Sequence, residues 1–357
     1  MKKHINTAKN QDLTNEKRRK VVKHLLLGAS GISFIPLSNA QANNQGIAGA
    51  INLLLNDEPE LPLDTPIVFS PTSPNQAQHI KVPSGANYMH YSVKGAGGGG
   101  STNSHSGDGA DGGNGGAVIQ EDFDLSGIDE LFIHVGEGGH PDGTPGEFGG
   151  GAGGTVPDNA FQTSGGAGGG GYAAIMNNEN TAIALAGGGG GGGGTCRSNR
   201  GGAGGTSTSN FEGGDAESGF PNLLVAGSGG QGADVGGEKA TASTTASDGA
   251  DGMTLQGGSG GNNPTADETF SGGAGGGGGG GFVGGGGGGA GGGNNTEGAV
   301  FGGGGGGGGG GLNVVQELAN ANIMDGASGG DGAAESSQGT AGGAGSVSIT
   351  FSATMAP

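Results

Sequence analysis

Several residues have the types and spacing that chemistry uses. "HVGEGGH" places His134, Glu137 and His140 within seven positions, with Asp142 two residues on. Imidazole and carboxylate groups are zinc ligands when they converge on one point. Here His134 falls on an alternating apolar segment and His140 in a loop, not one helical turn apart. The plainer reading is a pair of histidines without a metal.

Carboxylates next to tight turns suit calcium, and "DGADG" occurs twice, with Asp108 and Asp111 in one copy and Asp248 and Asp251 in the other. "DAESG" and "GGDGAAE" add further acids. None fits the twelve-residue helix–loop–helix pattern or the nine-residue Gly-Gly-x-Gly-x-Asp repeat. Calcium is therefore a weak candidate, no cofactor is expected, and loop acids that only solubilise the chain are the better reading.

Nucleophile signals fare no better. Ser259 in "GGSGG" and Ser328 in "GASGG" match Gly-x-Ser-x-Gly, as chance alone provides in so glycine-rich a chain. Gly-x-Gly-x-x-Gly is everywhere, and no Gly-Lys-Ser/Thr phosphate loop follows any run. Cys196 is the one cysteine, so an internal disulfide is excluded. It stands in "TCRSNR", where Arg197 and Arg200 would lower its thiol pKa, but an incidental loop thiol is the simpler reading. No enzyme is expected.

What must position any functional residue here is glycine. The chain has 357 residues and 97 glycines, and all but Gly28, Gly31, Gly46 and Gly49 lie from Gly85 onward. Collagen needs a strict three-residue glycine period and abundant proline. "NNENTAIALA" breaks any such period, which excludes it.

Residues 1–42 read as an export signal. A basic stretch precedes a short apolar one and an Ala40-Gln41-Ala42 end. Arg18-Arg19-Lys20-Val21-Val22-Lys23 resembles the twin-arginine pattern, the alternative being an ordinary secretory signal with a chance Arg-Arg. The apolar stretch is interrupted by Gly28, Gly31 and Pro36, so no transmembrane span is expected in the mature protein. The remainder carries 5 basic against 30 acidic side chains, which argues against nucleic acid.

Residues 43–78, with "QGIAGAINLLLND" and a proline-rich continuation, read as an extended arm. Residues 79–357 read as one glycine-rich domain. Strand alternation is clear at Met89, Tyr91 and Val93, at Leu131, Ile133 and Val135, and at Val347, Ile349 and Phe351. Val118-Ile119, "YAAIM", "AIALA", "NLLVA" and "GMTLQ" are shorter apolar pieces between glycine runs.

The runs reach ten residues at Gly302–Gly311 and eight at Gly187–Gly194. A flexible tether would not keep returning to strand-like apolar groups, so the runs are expected to be ordered. In the polyproline II conformation ten residues span roughly 31 Å with no internal hydrogen bonds. Every amide and carbonyl must then find a partner on a neighbouring rod. Backbone ordering costs about 1–2 kcal/mol per residue, and each hydrogen bond returns about 0.5–1.5 kcal/mol. Flanking strands must therefore pin the bundle. The expected class is mainly β/irregular, a polyglycine II helix bundle framed by antiparallel β-strands.

"VPSGANYMHYSVKGAGGGG", "FDLSGIDELFIHVGEGG" and "GGAGGGGYAAIMNNENTAIALAGGGGGGGG" together resemble the glycine-rich domain of several extracellular proteins. These include bacterial surface and secreted proteins, bacteriophage tail-tip adhesins and the anaplastic lymphoma kinase receptor ectodomain. The resemblance covers roughly residues 79–351. It implies a sandwich of polyglycine II helices joined to β-strands, acting in binding or attachment through loops between the rods. Where members often carry a tryptophan before the first GAGGGG, this chain has Val93-Lys94.

The candidate contacts are therefore the polar loops: Asn178 and Asn180; Arg197, Asn199 and Arg200; Asn210 and Phe211; Asn262 and Asn263; Asn294 and Asn295. The expected role is attachment or recognition outside the cell, toward an unidentified glycan or protein, with self-association possible. The alternatives are a structural matrix or envelope component and an ice-binding protein. "KATASTTASDG" is too irregular to favour the last.

Overall fold

The computed structural model describes residues 61–355, apart from 73–75, 103–108, 159–161, 179, 197–198, 209–210, 217–226, 232–234, 241–244, 265–271, 295–300, 303–304, 306, 317–320 and 334–337. The chain divides into two units at Pro59/Glu60, and the described residues belong to the second. The export signal, with Arg18 and Arg19, and the first part of the arm lie outside them.

No helix occurs among the described residues, and twelve strands do. In chain order they are β1 (Ile67–Phe69), β2 (Gln78–Lys81), β3 (Tyr88–Lys94), β4 (Gly116–Asp124), β5 (Glu130–Val135), β6 (Ala173–Asn177), β7 (Ala182–Ala186), β8 (Gly293–Asn294), β9 (Phe301–Gly302), β10 (Val314–Val315), β11 (Ala321–Asp325) and β12 (Ser346–Ser352). Two antiparallel five-stranded sheets have orders β1-β12-β3-β4-β11 and β10-β7-β6-β5-β2, and β8 pairs β9 separately. The fold is mainly β with extended, irregular connections. The arm boundary at residue 78 falls inside the fold, because β1 pairs β12 along Ile67–Phe69 and Leu61 and Leu63 pack on the core.

Alternation explains the sandwich. Met89, Tyr91 and Val93 of β3 stand opposite Phe351, Ile349 and Val347 of β12, and all six are buried. They face Leu131, Ile133 and Val135 of β5 and Ile175 of β6 in one core. Strand β4 keeps its phase by a bulge. Asp122 takes φ 55°, so both Gln120 and Phe123 turn inward. Burying Gln120 is tolerable because Tyr91 Oη donates to its Oε1 at 2.6 Å. The outer face of β5 carries a second, smaller cluster. There His134 lies 4.9 Å from the Phe148 ring and 6.0 Å from the Tyr172 ring.

Every strand of the two large sheets that adjoins a glycine segment does so at the same end of the sandwich: β3, β5, β7 and β11 lead out, β4, β6, β10 and β12 lead back. Beyond that end the chain makes a bundle held by its backbone. The central run shows how. Gly188, Gly191 and Gly194 donate to Gly280, Gly277 and Ala274 at 2.6–2.7 Å. Gly189 and Gly192 donate to Ala96 and Gly99, and Gly190 and Gly193 to Gly205 and Gly202. Their carbonyls accept from three further segments, around Gly113, Gly170 and Gly308. Each neighbour is met again every third residue, so one run serves six neighbours.

At most positions no side chain fits between such segments. A Cβ on Gly190 would lie 2.0 Å from the Gly308 carbonyl oxygen, and one on Gly189 would lie 1.9 Å from that of Gly113. Among the described glycines, positive φ is confined to Gly85, Gly127, Gly143 and Gly149. Close approach rather than left-handed backbone therefore demands glycine in the bundle.

Candidate functional site

The antiparallel segments divide the connections between opposite places. The ladder runs from Gly187, beside β7, to Thr195 at the far end of the bundle. Asn199 and Arg200 lie at that far end, as do Asn262 and Asn263, which follow a segment bonded to Gly275 and Gly288. Asn178 and Asn180 do not. They cap the β6–β7 hairpin at the end of the sandwich away from the bundle, exposed, with Asn180 at φ 57°. Phe211 is half-buried on the sheet side of the bundle, where its carbonyl accepts from Gly310 N–H. Asn294 pairs with Phe301 across β8 and β9. Arg197, Asn210, Asn295 and Asp108 lie outside the described residues.

The far-end residues are tied to the frame. Asn263 is 1% exposed, and its Nδ2 donates to the Gly291 carbonyl at 2.9 Å and the Gly272 carbonyl at 3.3 Å. It joins segments rather than presenting an amide to a ligand. Asn262 is exposed, yet its Oδ1 accepts from both Thr155 N–H and Thr155 Oγ1. Asn199 and Cys196 exchange backbone hydrogen bonds in a tight turn, and Cys196 is 1% exposed. Arg200 is an exposed cation, 3.7 Å from the Asp111 carboxylate.

The acids of "DGADG" have a structural partner that explains their spacing. Asp248 Oδ1 accepts from Lys239 N–H at 2.8 Å and Asp251 Oδ1 from Gly236 N–H at 2.9 Å. Asp111 Oδ1 accepts from Gly332 N–H and Asn114 Oδ1 from Gly329 N–H, both at 2.8 Å. In each pair a step of three forward on one strand of chain meets a step of three backward on the other. At the rim of the bundle, where a neighbouring carbonyl is missing, an Asp or Asn oxygen takes its place. Asp215 Oδ1, accepting from Gly229 N–H, does the same, and inside the bundle the buried Ser164 Oγ accepts from Thr195 N–H. Asn313 does so at the junction with the sandwich: its Oδ1 accepts from Gly187 N–H at 2.7 Å and its Nδ2 donates to Ser207 O at 2.6 Å.

The histidine pattern does not converge. His134 is half-buried in the aromatic cluster, with Tyr172 Oη 3.4 Å from Nδ1, and burial holds its pKa below the ordinary value. Asp142 accepts from Thr144 N–H, which holds its carboxyl below the usual range. Among the described residues no three His, Cys, Asp or Glu side chains gather as metal ligands. Ser259 and Ser328 are exposed members of glycine segments whose carbonyls accept rod hydrogen bonds. No described helix is long and apolar enough to cross a membrane.

One recess was not foreseen. Two turns of similar sequence, "VPSGAN" and "DLSGID", meet at the sandwich end away from the bundle. They are joined by Val82 N–H to Asp129 O and Leu125 N–H to Asn87 O, and enclose about 340 Å³ of open space. The repeated Ser-Gly, with Gly85 at φ 85° and Gly127 at φ 80°, was the available signal.

No protein-family model matches the chain, and no curated protein does either.

Proposed function

We propose that the chain is an exported module for attachment or recognition, in which a polyglycine II bundle holds its connecting loops at a fixed spacing. The reading is supported by one observation above all. The central run meets the same neighbour every third residue and six neighbours in all, the arrangement that three residues per turn imposes. Such a bundle gathers several connections at its far end without a hydrophobic cluster there among the described residues, and loops on a firm frame are where binding residues concentrate. The partner is a cell-surface glycan or protein, and the acidic surface disfavours nucleic acid.

The test is a binding screen of the chain against whole cells and glycan arrays. It is repeated with Arg200 and the exposed Thr155–Asn262 corner replaced by alanine. Loss of binding in the Arg200 variant with unchanged melting, and in the corner variant with the chain still cooperatively folded, supports the far end as the contact surface. Binding that survives both replacements removes it.

A further inference from the structure

Three of the four edges of the large sheets are blunted in ways that prevent pairing with another chain. Strand β1 has three residues and lies between Pro66 and Pro71. Strand β2 has four, ends in Lys81 and is followed by Pro83. Strand β10 has two. Strand β11 is different. It runs five residues, Ala-Asn-Ile-Met-Asp, with no proline and one charge, at its end. Ile323 and Met324, on opposite faces, are 43% and 40% exposed. Among the described residues its backbone pairs only with β4.

The register makes that edge an interrupted surface. Phe69, Val347, Val93, Val118 and Ile323 stand side by side across the whole sheet. The first four are 7%, 0%, 0% and 0% exposed. The row runs out into solvent at Ile323.

We propose that β11 pairs antiparallel with β11 of a second copy of this chain, about a two-fold axis through Ile323. That register sets Ile323 against its own copy and continues the apolar row. Asn322 meets Met324, and Asp325 meets Ala321, so no two carboxylates face each other. A self-complementary edge is what an isologous dimer requires. A two-fold that reverses strand direction also reverses the bundles. The far ends would point in opposite directions, so the dimer would bridge two surfaces rather than grip one twice. The pairing works against a formal charge of −19 on each full chain, so added salt must strengthen it.

The experiment is sedimentation of the full chain across concentration and salt. The expected result is a monomer–dimer equilibrium that tightens as salt rises. Ile323→Lys places two ammonium groups opposite each other and should weaken association at least about tenfold, without altering the melting temperature of the dilute monomer. Ile323→Cys should form a covalent dimer under mild oxidation, since opposed Cα atoms lie about 4.5–5.5 Å apart, within disulfide range. Val68→Cys, at the opposite edge of the sheet and 55% exposed, should not. A monomer at every concentration would overturn the proposal. So would a dimer indifferent to Ile323→Lys, or equal cross-linking from both cysteines.

Discussion

In the sandwich, side chains hold the backbone; in the bundle, the backbone holds itself and the side chains buried in it are mostly small. Tyr91, Ile133, Ile175 and Phe351 are fully buried and fill the space between sheets. Gly187–Gly194 is as buried as they are, and fills its space with amides and carbonyls of six neighbours. The sandwich is stabilised by apolar area removed from water, about 25 cal/mol per Å². The bundle is stabilised by many hydrogen bonds of small net value, each about 0.5–1.5 kcal/mol. A sheet core tolerates changes of shape that keep volume; a glycine bundle tolerates no added atom on most faces. The junction needs both kinds of contact, and Asn313 supplies them by bonding the bundle with its amide between the apolar Leu312 and Val314.

The largest effect that distinguishes the two regions comes from one methyl group. Gly190→Ala should destabilise by about 3 kcal/mol or more, comparable to the loss from Ile175→Ala, because a backbone carbonyl cannot move aside as a side chain can. Urea unfolding of both variants checks it; a loss under about 1 kcal/mol for Gly190→Ala would mean that the bundle yields. The reverse change sharpens the comparison. Ala274 is fully buried in the same bundle, so its face accommodates a Cβ. Ala274→Gly should cost only about 1 kcal/mol, showing that face rather than composition decides.

The rim comes next. Asp251→Ala removes the acceptor for Gly236 N–H and should cost about 1 kcal/mol, whereas Asp251→Asn keeps an oxygen and should be near neutral. If the carboxylates served calcium instead, Asn would damage as much as Ala, and calcium would raise the melting temperature. The smallest effect is a pH dependence from the sandwich side. His134 has a folded pKa below its unfolded value of about 6.5 because burial disfavours the imidazolium. Its contribution is therefore complete above about pH 6.5 and is lost as pH falls through the lower folded value. The slope of the urea midpoint against pH in that window should flatten in His134→Phe, and an unchanged slope would remove this account of His134.

Side-chain periodicity made the sandwich readable and left the bundle half readable. Strands β3, β5 and β12 announce themselves because buried and exposed residues alternate along them. Strand β11 does not, since an edge with both faces in solvent leaves no alternation in "ANIMD". "GMTLQ" looks like a strand by composition but forms a tight turn, with Leu255 at φ 64° and Met253 bonded to Gln256. Strand β1 was hidden among prolines. The three-residue spacing of Asp108, Asp111 and Asn114 was present in the sequence, and so was that of Asp248 and Asp251. Its meaning was not, because Gly332 and Gly329 lie more than two hundred positions from their partners. Asn263 looked like a loop residue for another reason: Gly272 and Gly291 are only 9 and 28 positions on, but no pattern marks them as closing over it.

Amide hydrogen exchange in Gly188–Gly194, read by NMR on glycine-labelled protein, bears most directly on whether the bundle is a folded body. All seven amides donate to a backbone carbonyl in a neighbouring segment, so they should exchange as slowly as the amide of Ile175 in β6. Exchange at the rate of an unstructured peptide, while Ile175 stays protected, would leave a β-sandwich carrying loose glycine tails and contradict the account.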